Sequence, residues 1–138
     1  MDKNELCRRY AAGERDFSGL NLTGAKLSDI NLASSDLSRT NLTRALLNGA
    51  NLHQANLSQA ILYGADLCNA NLHEANLTDT NLEAALLVKA NLTGAKLDNT
   101  NFKWAALTQV TPSDIDLSNA IISKTILPDG SSSDIINM

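Results

Sequence analysis

Leucine returns at every fifth residue for most of this chain. Stepping by five from Phe17, the positions from Leu22 to Leu97 are all Leu, and Phe102 and Leu107 complete 19 units in unbroken frame. Pro112 interrupts, and Leu117, Ile122 and Leu127 resume the frame, for 23 units in all. A five-residue period excludes the ordinary elements. On an α-helix five residues advance roughly 500°, so the leucines would spiral round the rod without forming a stripe. On a flat strand the side-chain period is two, and every second Leu would face outward. All the leucines share one interior only if the backbone turns a corner once per unit.

The other unit positions agree with a corner. Two residues before the centre the side chain is small in most units, as at Ala55, Ala65, Ala75, Thr40, Thr80 and Thr100. One residue before it, 14 of the 23 units carry Asn or Asp. Five of the seven glycines (Gly19, Gly24, Gly49, Gly64 and Gly94) take the last unit position, where positive φ costs least. A weaker echo sets the number of corners. Ala50-Asn51-Leu52-His53 returns as Ala70-Asn71-Leu72-His73, and Thr40-Asn41-Leu42 returns at Thr80-Asn81-Leu82, at offsets that are multiples of 20. Four units therefore close one circuit, and parallel strands joined in this way wind right-handed.

The consensus Ala-Asn/Asp-Leu-x-x resembles the pentapeptide-repeat family, over about residues 15–129. The resemblance implies an all-β fold, a right-handed quadrilateral parallel β-helix with the centre and small residues inward. The ending Thr125-Ile126-Leu127-Pro128-Asp129-Gly130 is similar to small cyanobacterial members. Residues 1–14 are expected to form a helical cap, 15–129 the solenoid with an interruption near 110–114, and 130–138 a tail. Asp2 with Glu5 three residues on suits a capping box, and Gly13 a stop. Leu6, Cys7, Tyr10 and Ala11 form the docking face expected to cover Phe17 and Leu20. The run Ser131-Ser132-Ser133 reads as flexible, with Ile135, Ile136 and Met138 free to return to the body.

With 20 residues per coil, positions 20 apart stack in columns at about 4.8 Å. Asn31, Asn51, Asn71 and Asn91 form one column, whose amides can hydrogen-bond along the rod. His53 and His73 stack beside it between Ala33 and Thr93, with Glu74 near. A zinc site needs three or four ligands, so the histidines read as solvated and no metal or cofactor is expected. Another column holds Lys26, Leu46, Asp66, Leu86, Ala106 and Ile126 where other faces favour Asn or Asp. Val88 adds to it, Trp104 occupies the neighbouring corner, and Ile61 and Tyr63 lie one face away. Contiguous exposed apolar surface marks contacts, and Trp and Tyr are common anchors. Leu46, Tyr63, Leu86, Val88, Trp104 and Ile126 are therefore the candidate partner contact, for an unknown protein or for self-association. The competing reading is that Ile135 and Ile136 cover them within one molecule.

Composition narrows the function. The net charge of −4 gives no basic footprint for nucleic acid and no polybasic membrane arm. No apolar run approaches the ~20 residues of a membrane span, and no apolar stretch follows the first residues as in a secretory signal. Cys7 and Cys68 have no metal or redox spacing, which suits a reducing cytoplasm. A rod filled with Leu offers neither the cleft nor the water-excluding shell that catalysis needs, so no enzyme activity and no small-molecule substrate are expected. Members of the resembled family that imitate DNA bind DNA gyrase and confer quinolone resistance, which makes a DNA-mimic gyrase modulator the alternative. Duplex charge over a rod of this length (~26 Å) is on the order of 15 negatives. Residues 15–129 hold 11 acids and 8 bases, a net of −3. A non-catalytic protein-interaction or scaffold module is the favoured reading.

Overall fold

The computed structural model describes residues 1–134. From Asp16 to Ala106, Lys96 excepted, parallel bridges join the residue one before a centre to the residue 20 further on. Asp16–Asp36, Asn21–Asn41, Lys26–Leu46 and Asn31–Asn51 close the first circuit, and the same register reaches Ala106–Ile126. The chain is a right-handed parallel β-helix with four faces per coil. A regular unit in the middle of the rod donates three bonds between coils. In the unit centred on Leu52, for example, the Leu52 and Gln54 N–H groups donate to the Asn71 and His73 carbonyls of the next coil, at 2.8 and 2.9 Å. The Asn51 N–H donates back to the Ile30 carbonyl at 2.8 Å.

The corner has one backbone form. All 19 residues at the last unit position from Gly19 to Gln109 have positive φ, 14 of them non-glycine. The following N–H bonds back to the centre carbonyl, as Ala55 does to Leu52 at 3.0 Å, so the turn has the type II pattern. A non-glycine residue in this region is held against a cost of roughly 1–2 kcal/mol. None of the 14 is β-branched, the class that tolerates this region worst. Asn and Asp help to hold the corner. In all 14 units that carry one before the centre, its Oδ1 accepts the N–H two residues on, at 2.9–3.2 Å. The side chain closes an Asx turn against the main chain. Amide contacts up the column are weaker: Asn71 Nδ2 to Asn51 Oδ1 is 3.5 Å. The expected ladder is thus secondary to a local bond.

The interior is Leu against Ala, nearly all of it shut from solvent. Thr40, Thr80, Thr100 and Thr125 take the small position, and each hydroxyl donates to a backbone carbonyl at 2.6–2.8 Å. Helix α1 (Lys3–Ala11) closes the first coil, with Asp2 accepting from the Glu5 N–H at 2.9 Å. Its docking face differs from the expected one. Leu6 is buried and Tyr10 packs beside it, but Cys7 and Ala11 face solvent, because positions 3, 6 and 10 share the inner side. From there Lys3 Nζ donates to the Ser28 carbonyl at 2.6 Å and the Tyr10 hydroxyl to the Ala33 carbonyl at 2.9 Å. The cap meets the solenoid's first edge with side-chain donors as well as an apolar plug.

The other end is looser. Proline has no N–H for the ladder, and beyond Pro112, which follows a cis peptide bond, the bridge due at Lys96 is absent. The Asn99 N–H reaches the Asn119 carbonyl, one residue beyond the regular partner, before Asn101–Ile121 restores the register. Leu117 and Leu127 are half-buried and Ile122 is 39% exposed, so the resumed frame does not fully enclose its centres. Among the described residues no complete coil stacks above them. The serine run is ordered, contrary to its composition. Ser132 pairs antiparallel with Ile126, the Leu127 N–H donates to the Ser131 carbonyl, and the Ser133 N–H to that of Thr125. The expected return of Ile135, Ile136 and Met138 lies outside the described residues.

Truncating Leu62 to Ala in the closed interior should lower unfolding stability by about 2–5 kcal/mol, through lost contact and a residual cavity. Asn76→Ala, which removes only a corner bond, should cost about 1 kcal/mol, with Asn76→Asp retaining most of it. Urea denaturation measures both. At Asp16, Asp116 and Asp129 the hydroxyl and N–H of the serine two residues on hold the carboxyl below its ordinary range. Their contribution to stability is complete above the unfolded carboxylate pKa and is lost as pH falls through the lower folded values. Melting curves taken below about pH 4 should therefore show a smaller acid loss when all three are changed to Asn.

Candidate interaction surface

Where Asn or Asp is missing before the centre, the corner lacks its Asx bond and a different surface appears. Lys26, Leu46, Ile61, Leu86, Lys96, Ala106, Thr111, Ile121 and Ile126 fill those nine positions. Leu46, Ile61 and Leu86 are 40%, 41% and 48% exposed. The bridges run Leu46–Asp66–Leu86–Ala106–Ile126, so these residues occupy one column. Asp66, engaged with the Cys68 N–H at 3.0 Å, divides Leu46 from the rest.

The upper part is the continuous one. Leu86, Ala106 and the half-buried Ile126 follow one another, and Trp104, 61% exposed, sits on the adjoining corner. Its φ of 62° places it at the left-handed turn position, where an indole has no packing duty towards the core. Lys124, one coil further, holds Nζ 4.9 Å from its ring centre, which pairs a cation with the indole and leaves the patch an amphipathic rim. Val88 is half-buried at the far corner of the same face. Tyr63 is around the corner beside Ile61, its ring 5.7 Å from the Arg44 guanidinium carbon. The structure thus groups Leu86, Trp104 and Ile126, and sets Leu46, Tyr63 and Val88 at the margin. Ile121, in the column of Ile61 but separated from it by Asn81 and Asn101, is a further exposed apolar residue that the sequence reading passed over, although its place before a centre marked it.

Two open grooves lie towards the ends of the described solenoid. One, of about 580 Å³, lies between residues 1–4 and 21–26. The other, of about 360 Å³, lies at the far end over Ile115, Leu117, Ile122 and Leu127. Burial and then the neighbouring Asp66 push the Cys68 thiol up, which disfavours the thiolate. No described helix is long and apolar enough to cross a membrane.

Comparison with known proteins agrees with this architecture. The family model for pentapeptide repeats matches residues 16–54, 35–74, 50–86 and 75–111. No curated protein gives a significant match. Among solved structures, the pentapeptide repeat protein Rfr23 from the cyanobacterium Cyanothece 51142 is 32% identical with a TM-score of 0.66, over 90% of this chain and 97% of that one. A pentapeptide repeat protein of the Arabidopsis thaliana thylakoid lumen is 34% identical with a TM-score of 0.56, over 75% and 69%. QnrB1, a plasmid-mediated fluoroquinolone resistance protein, shares the fold at 19% identity and a TM-score of 0.58, over 83% and 66%. With its five-residue corner, its 20-residue coil and these matches, the chain belongs to the pentapeptide-repeat family.

Proposed function

We propose that this protein is a non-catalytic interaction module that receives a protein partner on the corner formed by Leu86, Trp104 and Ile126, with Leu46, Tyr63 and Val88 at its edge. One observation carries the reading. At Leu46, Ile61 and Leu86 the chain forgoes a corner hydrogen bond worth about 1 kcal/mol and exposes apolar side chains instead. Neither change helps the coil, whereas both suit a surface that is covered in use. A large aromatic on a rigid corner, rimmed by Lys124, is the kind of anchor that interfaces favour. The partner face that fits is apolar at its centre, with an acidic group opposite Lys124. A second copy of the chain is the other occupant to test. We place the protein in a cytoplasm, a setting that suits the unpaired Cys7 and Cys68.

The double variant Leu86→Ser, Trp104→Ser should abolish partner capture, or dimer formation in sizing, while changing stability by no more than about 0.5 kcal/mol, as is usual for surface sites. Capture and sizing profiles identical to those of the parent would refute the assignment.

Gyrase modulation by DNA mimicry is the second reading, prompted by the fold shared with QnrB1. Charge argues against it. A duplex presents one negative charge per ~1.7 Å of axis, and the net of −3 over residues 15–129 is far too sparse, with Arg39, Arg44, Lys89 and Lys103 breaking any acidic stripe. Supercoiling by gyrase should be unaltered at micromolar protein, and inhibition or drug protection there would revive mimicry.

A further inference from the structure

We propose that His53, His73 and Glu74 form a binding site for one divalent transition-metal ion, of the zinc class, on the outside of the coil. Two stacked histidines fall short of a metal site; the structure brings the Glu74 carboxylate within reach as a third donor. His73 Nδ1 is 3.0 Å from His53 Nδ1 and 3.5 Å from Glu74 Oε1, and the three donor atoms lie within 4.8 Å of one another. The rings are nearly parallel, 6° apart, with centroids at 4.9 Å. Because the two nitrogens are closer than the ring centres, both Nδ1 atoms face the space between the rings. Two Zn–N bonds at a tetrahedral angle set their nitrogens about 3.3 Å apart, close to the 3.0 Å contact the two Nδ1 atoms now share as a hydrogen-bond pair; each lone pair lies in its ring plane, so the near-parallel rings must turn out of their stack for both to meet one ion.

The frame is fixed before any ion arrives. The His53 and His73 N–H groups are held by Asn51 and Asn71 Oδ1 at 3.1 and 3.0 Å. Their carbonyls accept from Ser34 and Gln54 of the preceding coil at 2.8 and 2.9 Å. Glu74, at φ 59° on the corner, brings its carboxylate back beside His73. Gln54 Nε2 donates to Glu74 Oε1 at 3.1 Å, which holds the carboxylate in place beside His73. One coil on, residue 94 is glycine, and a Cβ there would come within 3.1 Å of Glu74 Cγ. The missing side chain leaves the carboxylate its room.

Donor chemistry selects the ion. Two imidazoles and one carboxylate suit Zn²⁺, and by the usual order of affinities Ni²⁺ and Cu²⁺, whereas Mg²⁺ and Ca²⁺ require oxygen ligands throughout. Water completes the coordination. The site does not touch the Leu86–Trp104 corner, and the proposal stands independently of the interaction reading.

Calorimetric titration of the full chain with Zn²⁺ tests it. Saturation at one ion per chain is expected, with a melting temperature that climbs with Zn²⁺ concentration and no response to Mg²⁺. His53→Gln, His73→Gln and Glu74→Gln should each weaken binding by at least about 10-fold, and Gln54→Ala by about 10-fold. Circular dichroism identical to the parent's would show that these surface variants remain folded. Absence of saturable binding at micromolar Zn²⁺ would overturn the proposal. So would undiminished binding in the His53→Gln, His73→Gln double variant, which would place the ion on other donors such as the exposed Cys7 thiol.

Discussion

The left-handed corner at every fifth residue is the constraint on which the rest depends. It alone lets successive leucines, five apart, enter one interior. The geometry is costly for L-residues, yet it recurs without exception from Gly19 to Gln109. Three bonds act on it together: the turn's own bond, the ladder bond from the corner N–H to the next coil, and the Asx bond from the preceding Asn or Asp. Since each coil fixes the corners of the next, stability is shared between neighbours along the rod, as in other repeat architectures.

That division of labour explains what the outer surface is free to do. Inward positions are committed to Leu and small residues, and the ladder is satisfied by backbone. Only the residue before the centre and the two corner residues remain variable, and of these the first normally supports the turn. A departure from Asn or Asp is therefore informative. Leu46, Ile61 and Leu86 depart and expose apolar side chains, Leu86 next to Ala106 and the Trp104 corner, whereas Lys26 and Lys96 depart and leave a solvated cation. The stacking of equivalent positions does the rest: whatever two coils share is held side by side, whether leucines or imidazoles.

The two ends follow different physics from the middle. Helix α1 meets the first edge with Leu6 in the core and donors from Lys3 and Tyr10 on open carbonyls. The far end is finished by a return of chain after Gly130, whose serines bond to backbone rather than remain solvated. Composition misled there because a serine run is flexible only where no edge offers partners. The register slip at Asn119 and the exposure of Ile122 likewise belong to an end, where stacking acts from one side.

Sequence alone determined the circuit. A strict five-residue frame of Leu and a 20-residue echo allow one arrangement of corners, and Leu46, Leu86 and Trp104 stand out once residues are sorted by column. Such periodic information is local and repeats itself 19 times before the first break, so no tertiary contact was needed to read it. Tertiary structure decided whatever depends on side-chain direction or on a single event. It turned Cys7 outward, paired Ser132 with Ile126, and carried the Glu74 carboxylate round its corner to the two histidines. Periodicity gives the position of a Cα; where its side chain reaches depends on the corner dihedral and on which neighbours leave space.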